Sequence, residues 1–429
     1  METCVVNSID VASRASPLAQ AQVVEVLAEL QAFDPSIRFH CQFVVTTGDQ
    51  DQLTSLRDLG KTDFFTKELD QLVLKKKCRV AIHAAKDLPD PLPHGLVLVA
   101  LTRGVDASDV LVLRSGEQLC SLPIGAKIGT SSARREEAVK ALKADCTFVD
   151  LRGSVNERLA RLEAGDLDGV VVAEAALVRL GLNHLNRIKL PGETAPLQGK
   201  LAIVAREEDR EMATLFAPID ARKTLCVGLS LPASLHHREV DVCPLIAIQP
   251  RSVEDPAFVL VREKLSSYTH LIFTSKTAAT LFYTHFTLSH SPRVIAVGKA
   301  TAAVVRHFSP EADVLIADEE SAEGVVAVLE RLSLEKARLL WPHAALARPV
   351  ISAYLMQRKV DFDAPIFYDT IMRRPENVPN LEKYDELILT SPSTVDAAFE
   401  VFGCILEKKI LTCIGQVTQN YLEKRRREQ

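Results

Sequence analysis

The chain has 429 residues, 47% hydrophobic and 25% charged, with a formal net charge of −5. That length exceeds one ordinary core, so several domains are expected, and the composition is that of a globular protein. The charge gives no sign of a nucleic-acid binder, no apolar run approaches the ~18 residues of a membrane span, and the start has no signal-peptide core. Nine scattered cysteines contain no Cys-x-x-Cys pair. This argues against zinc, iron–sulfur and disulfide frameworks and places the protein, by expectation, in the reducing cytosol.

Val5 to Ile9 reads as a strand, and Ser13-Arg14-Ala15-Ser16-Pro17-Leu18 opens a helix to about Leu30, with Ser16 as its cap. Arg14 beside that helix start makes an anion site, or Ser16 is a cap and nothing more. Phe39 to Thr46 is a second strand, followed by Thr47-Gly48-Asp49-Gln50 and a polar stretch to Lys61, and a helix begins around Phe64-Phe65-Thr66. Cys78 to Ile82 is a short buried strand that delivers His83-Ala84-Ala85-Lys86-Asp87 to a sheet edge, and Pro89, Pro91 and Pro93 force an extended exit. Ligands bind at such edges in α/β sheets. Lys86 and Asp87 are therefore either an acid–base or charge-stabilising pair or a solvated ion pair.

Leu96 to Leu101 is apolar, and Ile124 to Ile128 leads into Gly129-Thr130-Ser131-Ser132-Ala133-Arg134-Arg135, a turn that offers backbone N–H groups and hydroxyls to an anion. Two arginines in a first helical turn oppose the helix dipole, so an anionic ligand is expected to neutralise them. Thr147 to Leu151 precedes Arg152-Gly153-Ser154-Val155-Asn156-Glu157-Arg158, and the strand Asp168 to Ala173 precedes a helix carrying Arg179. Guanidinium forks bind carboxylates through two parallel hydrogen bonds, so this arginine-rich region implies a substrate with many carboxylates. Alternating strands and helices make the fold class α/β.

Four ordered motifs carry a resemblance over residues 1 to about 215. Ser13-Arg-Ala-Ser-Pro-Leu-Ala, His83-Ala-Ala-Lys-Asp-Leu-Pro, Gly129-Thr-Ser-Ser-Ala-Arg-Arg and Leu151-Arg-Gly-Ser-Val-Asn-Glu-Arg-Leu resemble the porphobilinogen deaminase (hydroxymethylbilane synthase) family. That family condenses four porphobilinogens head to tail with loss of ammonia. The resemblance implies that Asp87 is the essential carboxylate, assisted by Lys86. It implies that Arg14, Ser16, Thr130, Ser131, Ser132, Arg134, Arg135, Arg152, Arg158 and Arg179 hold acid side chains, that Phe65 packs on pyrrole rings, and that Asp49 lies in a binding loop. It also implies a dipyrromethane cofactor, but the family's Gly-x-Cys attachment motif is not found, and Ala84 and Leu197-Gln198-Gly199-Lys200 depart from the family pattern. Cys226 and Cys243 read as buried strand cysteines.

From Leu225 the text changes and repeats itself. Tyr268-Thr-His-Leu-Ile-Phe-Thr-Ser recurs 116 residues later as Tyr384-Asp-Glu-Leu-Ile-Leu-Thr-Ser, and Ile295-Ala-Val-Gly-Lys-Ala-Thr is echoed by Thr412-Cys-Ile-Gly-Gln-Val-Thr. Two similar lobes are implied, each with two helix starts able to bind carboxylates. Residues 225–429 resemble uroporphyrinogen-III synthase, which closes the linear tetrapyrrole without a cofactor and inverts its last ring. At those helix starts Thr274, Ser275, Thr301, Ser391 and Thr418 either bind substrate carboxylates or serve only as caps; the resemblance implies that Tyr368 donates a proton, the alternative being a strand tyrosine near the lobe hinge. The basic end, Lys424 to Arg427, reads as a complement to a helix dipole.

The expected organisation is a periplasmic-binding-protein-like deaminase module at 1–219, with lobes at about 1–93 plus 196–219 and about 97–193. A synthase module follows at 220–429, with lobes at about 224–252 plus 374–429 and about 255–372. The expected activity is bifunctional, with small-molecule substrates, no metal, no nucleic-acid or membrane partner, and a monomeric chain. Alternatives are a synthase with an impaired, tetrapyrrole-binding front half, or a non-enzymatic polycarboxylate-binding protein.

Overall fold

The computed structural model describes residues 8–428 except 52–53, 55–62, 233–234 and 236–237. The expected strand at Val5 falls partly outside them. Its described continuation, Ser8–Arg14, lies between Arg38–Val44 and Val80–Ala84, both parallel to it. Leu201–Arg206 then pairs antiparallel with Val80–Ala84 on one side and Leu96–Leu101 on the other. These five strands form one sheet. The expected lobe boundary at about 97 cuts through Leu96–Leu101, so the crossover to the second lobe lies beyond residue 101. Its apolar text identifies a buried strand but not its partner, which is supplied from the far side of the second lobe.

The second sheet runs in the order Thr147–Val149, Lys127–Gly129, Gly169–Ala173, Asp109–Val112 and Arg187–Lys189. Gly169–Ala173 is fully buried, as a run of three valines flanked on both sides by partner strands requires. The chain enters this lobe through residues 102–108 and leaves through 190–200. The two crossovers touch where Val105 N–H donates to the Gly199 carbonyl at 3.2 Å. Gly199 has φ of +86°, and a Cβ there would stand 2.8 Å from the Asp106 carbonyl oxygen, so the hinge needs glycine at this point.

Two further parallel sheets build the rear half. One contains Val240–Val242, Thr224–Cys226, Glu386–Leu389 and Ile410–Cys413; the other contains Val314–Ile316, Arg293–Ala296, His270–Phe273, Arg338–Leu340 and Asp361–Asp363. Ile246–Pro250 pairs antiparallel with Ile366–Met372 to link them. The repeated sequence maps onto equivalent places. Each central strand, His270–Phe273 or Glu386–Leu389, runs into a serine-capped helix, Lys276–His285 or Pro392–Phe402.

The halves are fastened by buried charge. Arg222, at the end of the connecting segment, pairs with Asp220 at 2.7 Å, donates to the Leu98 and Val99 carbonyls at 3.0 Å, and lies 3.5 Å from Glu386. Arg238 closes on the same Glu386. Burial alone would raise that carboxyl, but Arg222 and Arg238 outweigh it and hold its pKa at about 2. At the far end of the rear half, Arg426 makes a bidentate pair with Asp90 of the proline strap, both bonds 3.0 Å. Its basic neighbours also find acids, Arg425 with Asp396 and Lys424 with Glu428.

Candidate functional site

The first two lobes enclose a cleft of about 550 Å³, within the range of small-molecule sites. Its first wall is the edge where Ser8–Arg14 and Val80–Ala84 end. Ser16 caps the helix Pro17–Gln31 by accepting from the Ala19 N–H at 3.3 Å. Arg14 pairs with Asp49 and lies over the Phe65 ring at 4.6 Å. Burial would raise the Asp49 carboxyl, but Arg14 and the Thr46 hydrogen bonds outweigh it and lower its pKa. Gly48 is required beneath this stack, because a Cβ there would come within 2.4 Å of the Phe65 ring.

Lys86 and Asp87 project from the single turn Ala85–Asp87. Asp87 makes no side-chain hydrogen bond or ion pair among the described residues, although its charge acts on Lys86. Lys86 retains some surface toward the cleft, but its ammonium is packed about by protein and donates to Gln198 Oε1 at 3.5 Å. Burial, then the charge of Arg135, lowers the Lys86 pKa against the opposing pull of Asp87 and Asp109.

The opposing wall carries the guanidinium groups. Arg135 pairs with Asp109, whose side chain is only 3% exposed, and Arg134 reaches the same carboxylate at 2.7 Å. The anion expected to neutralise this helix start is therefore supplied by the protein itself. Asp109 is the site residue that sequence reasoning missed. An acid inside Asp109-Val-Leu-Val, an otherwise apolar strand, was the available signal, since a buried carboxylate demands a partner. Gln198 ties the hinge to this centre, donating to Asp109 Oδ1 at 3.0 Å and to the Ala107 carbonyl at 2.7 Å.

Arg152 crosses the cleft and donates to the Gly48 and Asp51 carbonyls at 2.8 and 2.6 Å, 5.7 and 5.9 Å from the Phe64 and Phe65 ring centres. Arg179 crosses it too, bonded twice to Glu25 at 2.6 and 2.9 Å and to the Gly199 carbonyl at 2.8 Å. Arg158 is different. Its Nε donates to the Gly153 carbonyl at 2.9 Å, while burial and the charges of Arg135, Arg152 and Arg14 push its pKa down to about 10 against the pull of Asp150. Such crowding of like charge favours an incoming anion.

Ten of the front-half residues singled out in the sequence line this cleft: Arg14, Ser16, Asp49, Phe65, Lys86, Asp87, Arg135, Arg152, Arg158 and Arg179. Thr130, Ser131, Ser132 and Arg134 stand behind it. Thr130 is 1% exposed, and Ser131 both donates to the Leu151 carbonyl at 2.7 Å and accepts from the Leu151 N–H at 2.8 Å, so it braces two loops. Ser132 stands at the start of the helix Ala133–Lys140 without a side-chain capping bond.

In the rear half the helix starts stand at the ends of parallel strands, as the repeat predicts. Ser275 and Ser391 cap their helices by accepting from Ala278 N–H at 3.0 Å and Thr394 N–H at 3.4 Å. Thr274 accepts from the Trp341 indole at 3.3 Å. Thr301 and Thr418 are each only 3% exposed, and Thr418 donates back to the Ile414 carbonyl at 3.1 Å. Each stands at the third position of its helix, Lys299–Phe308 or Gln416–Arg427, with its side chain packed inward. Tyr368 is 6% exposed within an aromatic cluster, with its hydroxyl 2.9 Å from Ser275 Oγ. Burial raises its pKa, opposed by Ser275 and Thr277.

Residues 9–214 match the family described as porphobilinogen deaminase, dipyromethane cofactor binding domain, and residues 233–428 match uroporphyrinogen-III synthase HemD. The chain is 39% identical over 209 residues to a probable porphobilinogen deaminase of Chlamydia pneumoniae, covering 49% of this chain and 88% of that protein. It is 38% identical over 217 residues to the porphobilinogen deaminase of Roseiflexus sp. (strain RS-1), covering 50% and 72%. With the chloroplastic porphobilinogen deaminase of Euglena gracilis it shares 39% identity over 226 residues, 50% of this chain but 46% of that protein, so it spans about half the length of that relative.

Proposed function

We propose a two-step tetrapyrrole-forming enzyme, because the chain belongs to the porphobilinogen deaminase family over residues 9–214 and to the uroporphyrinogen-III synthase family over residues 233–428. The front half joins four porphobilinogens into hydroxymethylbilane; the rear half closes that chain to uroporphyrinogen III. The observation that carries the reading is the uncommitted Asp87 carboxylate beside a buried Lys86, facing a wall of guanidinium groups.

Each porphobilinogen loses ammonia when its aminomethyl C–N bond breaks, with the bonding pair leaving on nitrogen, which must be protonated to depart. The ring is left as a cation whose charge reaches the pyrrole N–H. Asp87 stabilises that charge, and its freedom from other partners leaves both oxygens available. The cation is attacked by the free α-carbon of the terminal ring, which then loses its proton. Arg135 and Arg158 hold the acetate and propionate chains, and Arg14 with Phe65 closes over the ring.

A dipyrromethane fits the same residues, since its acid chains answer the charge crowding at Arg158. Arg135, Arg152 and Arg158 would hold it, and when bound it supplies the terminal ring to which the first porphobilinogen is joined. Among the described residues, no cysteine lines the cleft. In the rear half Tyr368, at its Oη, holds the proton offered to the departing hydroxyl, and the helix starts at Ser275 and Ser391 hold carboxylates.

The test is to supply porphobilinogen alone and resolve the oxidised uroporphyrin isomers by chromatography. Type III product is expected. Asp87→Ala should stop porphobilinogen consumption and leave closure of supplied hydroxymethylbilane intact; consumption by that variant, or loss of both steps, contradicts the assignment.

A further inference from the structure

A second cleft, of about 740 Å³, lies where the two modules meet. Val99, Arg103 and Lys200 contribute to it from the front half, and Lys223, Arg238 and Lys383 from the rear half. Lys200 also lines the catalytic cleft, so one residue belongs to the walls of both. It follows Gly199 at the hinge and pairs across the junction with Asp385.

The charge on this wall is unbalanced. Of its three acids, Asp220 is taken by Arg222 and Arg238, and Asp385 by Lys200 and by the Lys223 N–H at 3.1 Å. Glu239 remains. Against it stand Arg103, Lys223 and Lys383, all exposed and all without an ion pair among the described residues. A wall drawn from two modules, cationic in excess and sharing Lys200 with the catalytic cleft, matches a ligand that is itself large and multiply anionic.

Resting on the two-step reading above, we propose that this junction cleft is a binding site for the acid side chains of the linear tetrapyrrole as it passes between the modules. The polycarboxylate leaves the guanidinium wall at Arg135 and Arg158, meets Lys200 at the hinge, and is held by Arg103, Lys223 and Lys383. Holding it there limits its escape into water, where it cyclises without enzyme to the type I isomer. The ligand class is a flexible chain of pyrroles with two carboxylates on each ring, distinct from the single porphobilinogen that enters the first cleft.

The test uses the full chain with Arg103→Glu, Lys223→Glu and Lys383→Glu together, compared with a charge-keeping variant, Arg103→Lys, Lys223→Arg and Lys383→Arg. Three quantities are measured for each: porphobilinogen consumption, closure of supplied hydroxymethylbilane at saturation, and the type I to type III ratio when only porphobilinogen is supplied. The charge-reversed protein should keep both separate rates and raise the isomer ratio about tenfold, the summed effect of three exposed charges. The charge-keeping protein should retain the parent ratio. Raising salt should increase the ratio in the parent and change it little in the reversed variant. An unchanged ratio overturns the proposal. So does loss of either separate rate, since the three cations would then serve a catalytic site instead of the passage. If the parent protein consumes no porphobilinogen, the two-step reading itself has failed, a result recognisable before any variant is compared.

Discussion

Glu386 is the most sharply defined electrostatic feature of the junction. It is 1% exposed, paired with Arg238 and 3.5 Å from Arg222, and bonded to the Thr412 hydroxyl at 2.6 Å. Its folded pKa of about 2 lies below the unpaired value of 4.5, which at ~1.4 kcal/mol per pKa unit corresponds to about 3 kcal/mol. Because the folded value is the lower one, this stability is fully present above pH 4.5 and is lost as pH falls through about 2. At pH 3 about 1 kcal/mol should remain, since the unfolded carboxyl is mostly protonated there and the folded one is not. Glu386→Gln should therefore destabilise by about 3 kcal/mol at pH 7 and about 1 kcal/mol at pH 3, agreeing with the ~3–5 kcal/mol for breaking a buried pair. Urea unfolding followed by far-ultraviolet circular dichroism reads this directly. With a slope of ~3 kcal/mol/M, the midpoint should fall about 1 M at pH 7 and about 0.3 M at pH 3. Equal shifts at the two pH values would refute the electrostatic account, and no shift at pH 7 would refute the stabilising role altogether.

Asp109→Asn leaves Arg134 and Arg135 beside Lys86 without their carboxylate and should destabilise the front half by about 3 kcal/mol; Asp109→Asn with Arg135→Met should recover part of that, and strict additivity of the two changes would deny the coupling. Tyr368→Phe keeps the aromatic packing and removes the hydroxyl, so closure of supplied hydroxymethylbilane should slow about 100-fold while porphobilinogen consumption is unaffected; an unchanged closure rate removes its role as proton donor. Arg152→Ala should raise the KM for porphobilinogen about tenfold by releasing the Gly48–Asp51 segment from the far wall, and equal kinetics would mean that this tie does not shape the site.

The sequence made the position of Lys86 and Asp87 at a sheet edge legible because its signals are local. A buried strand, a turn and three prolines place Lys86 and Asp87 without reference to the rest of the chain. The internal repeat was equally readable, since both Thr-Ser helix starts recur with their strands. What local text could not give was pairing across distance. Leu96–Leu101 is visibly a strand, yet its sheet is decided by Leu201–Arg206, a hundred residues away. For the same reason the arginines were foreseen but their partners were not: Arg179 meets Glu25, Arg135 meets Asp109, and Arg152 meets two carbonyls. Of these arginines, expected by resemblance to bind substrate, Arg152 and Arg179 prove to be braces between lobes.

That double use has a physical consequence for how the first cleft works. Arg152 and Arg179 each tie one lobe to the other, and both line the cleft in which the proposed reaction would take place. A carboxylate arriving at either guanidinium competes with the tie already there, so adding a pyrrole unit and loosening the lobes draw on the same groups. Arg158, crowded by like charge, makes no such tie between lobes and on the proposed reading would meet an anion without surrendering one. The cleft thus combines one receptor for negative charge with two clasps that negative charge can open, which suits a site whose contents grow one ring at a time. The rear half lacks this contrast: its helix starts are fixed by their own serine caps, and on the reading proposed above its task, a single closure, needs no room to expand.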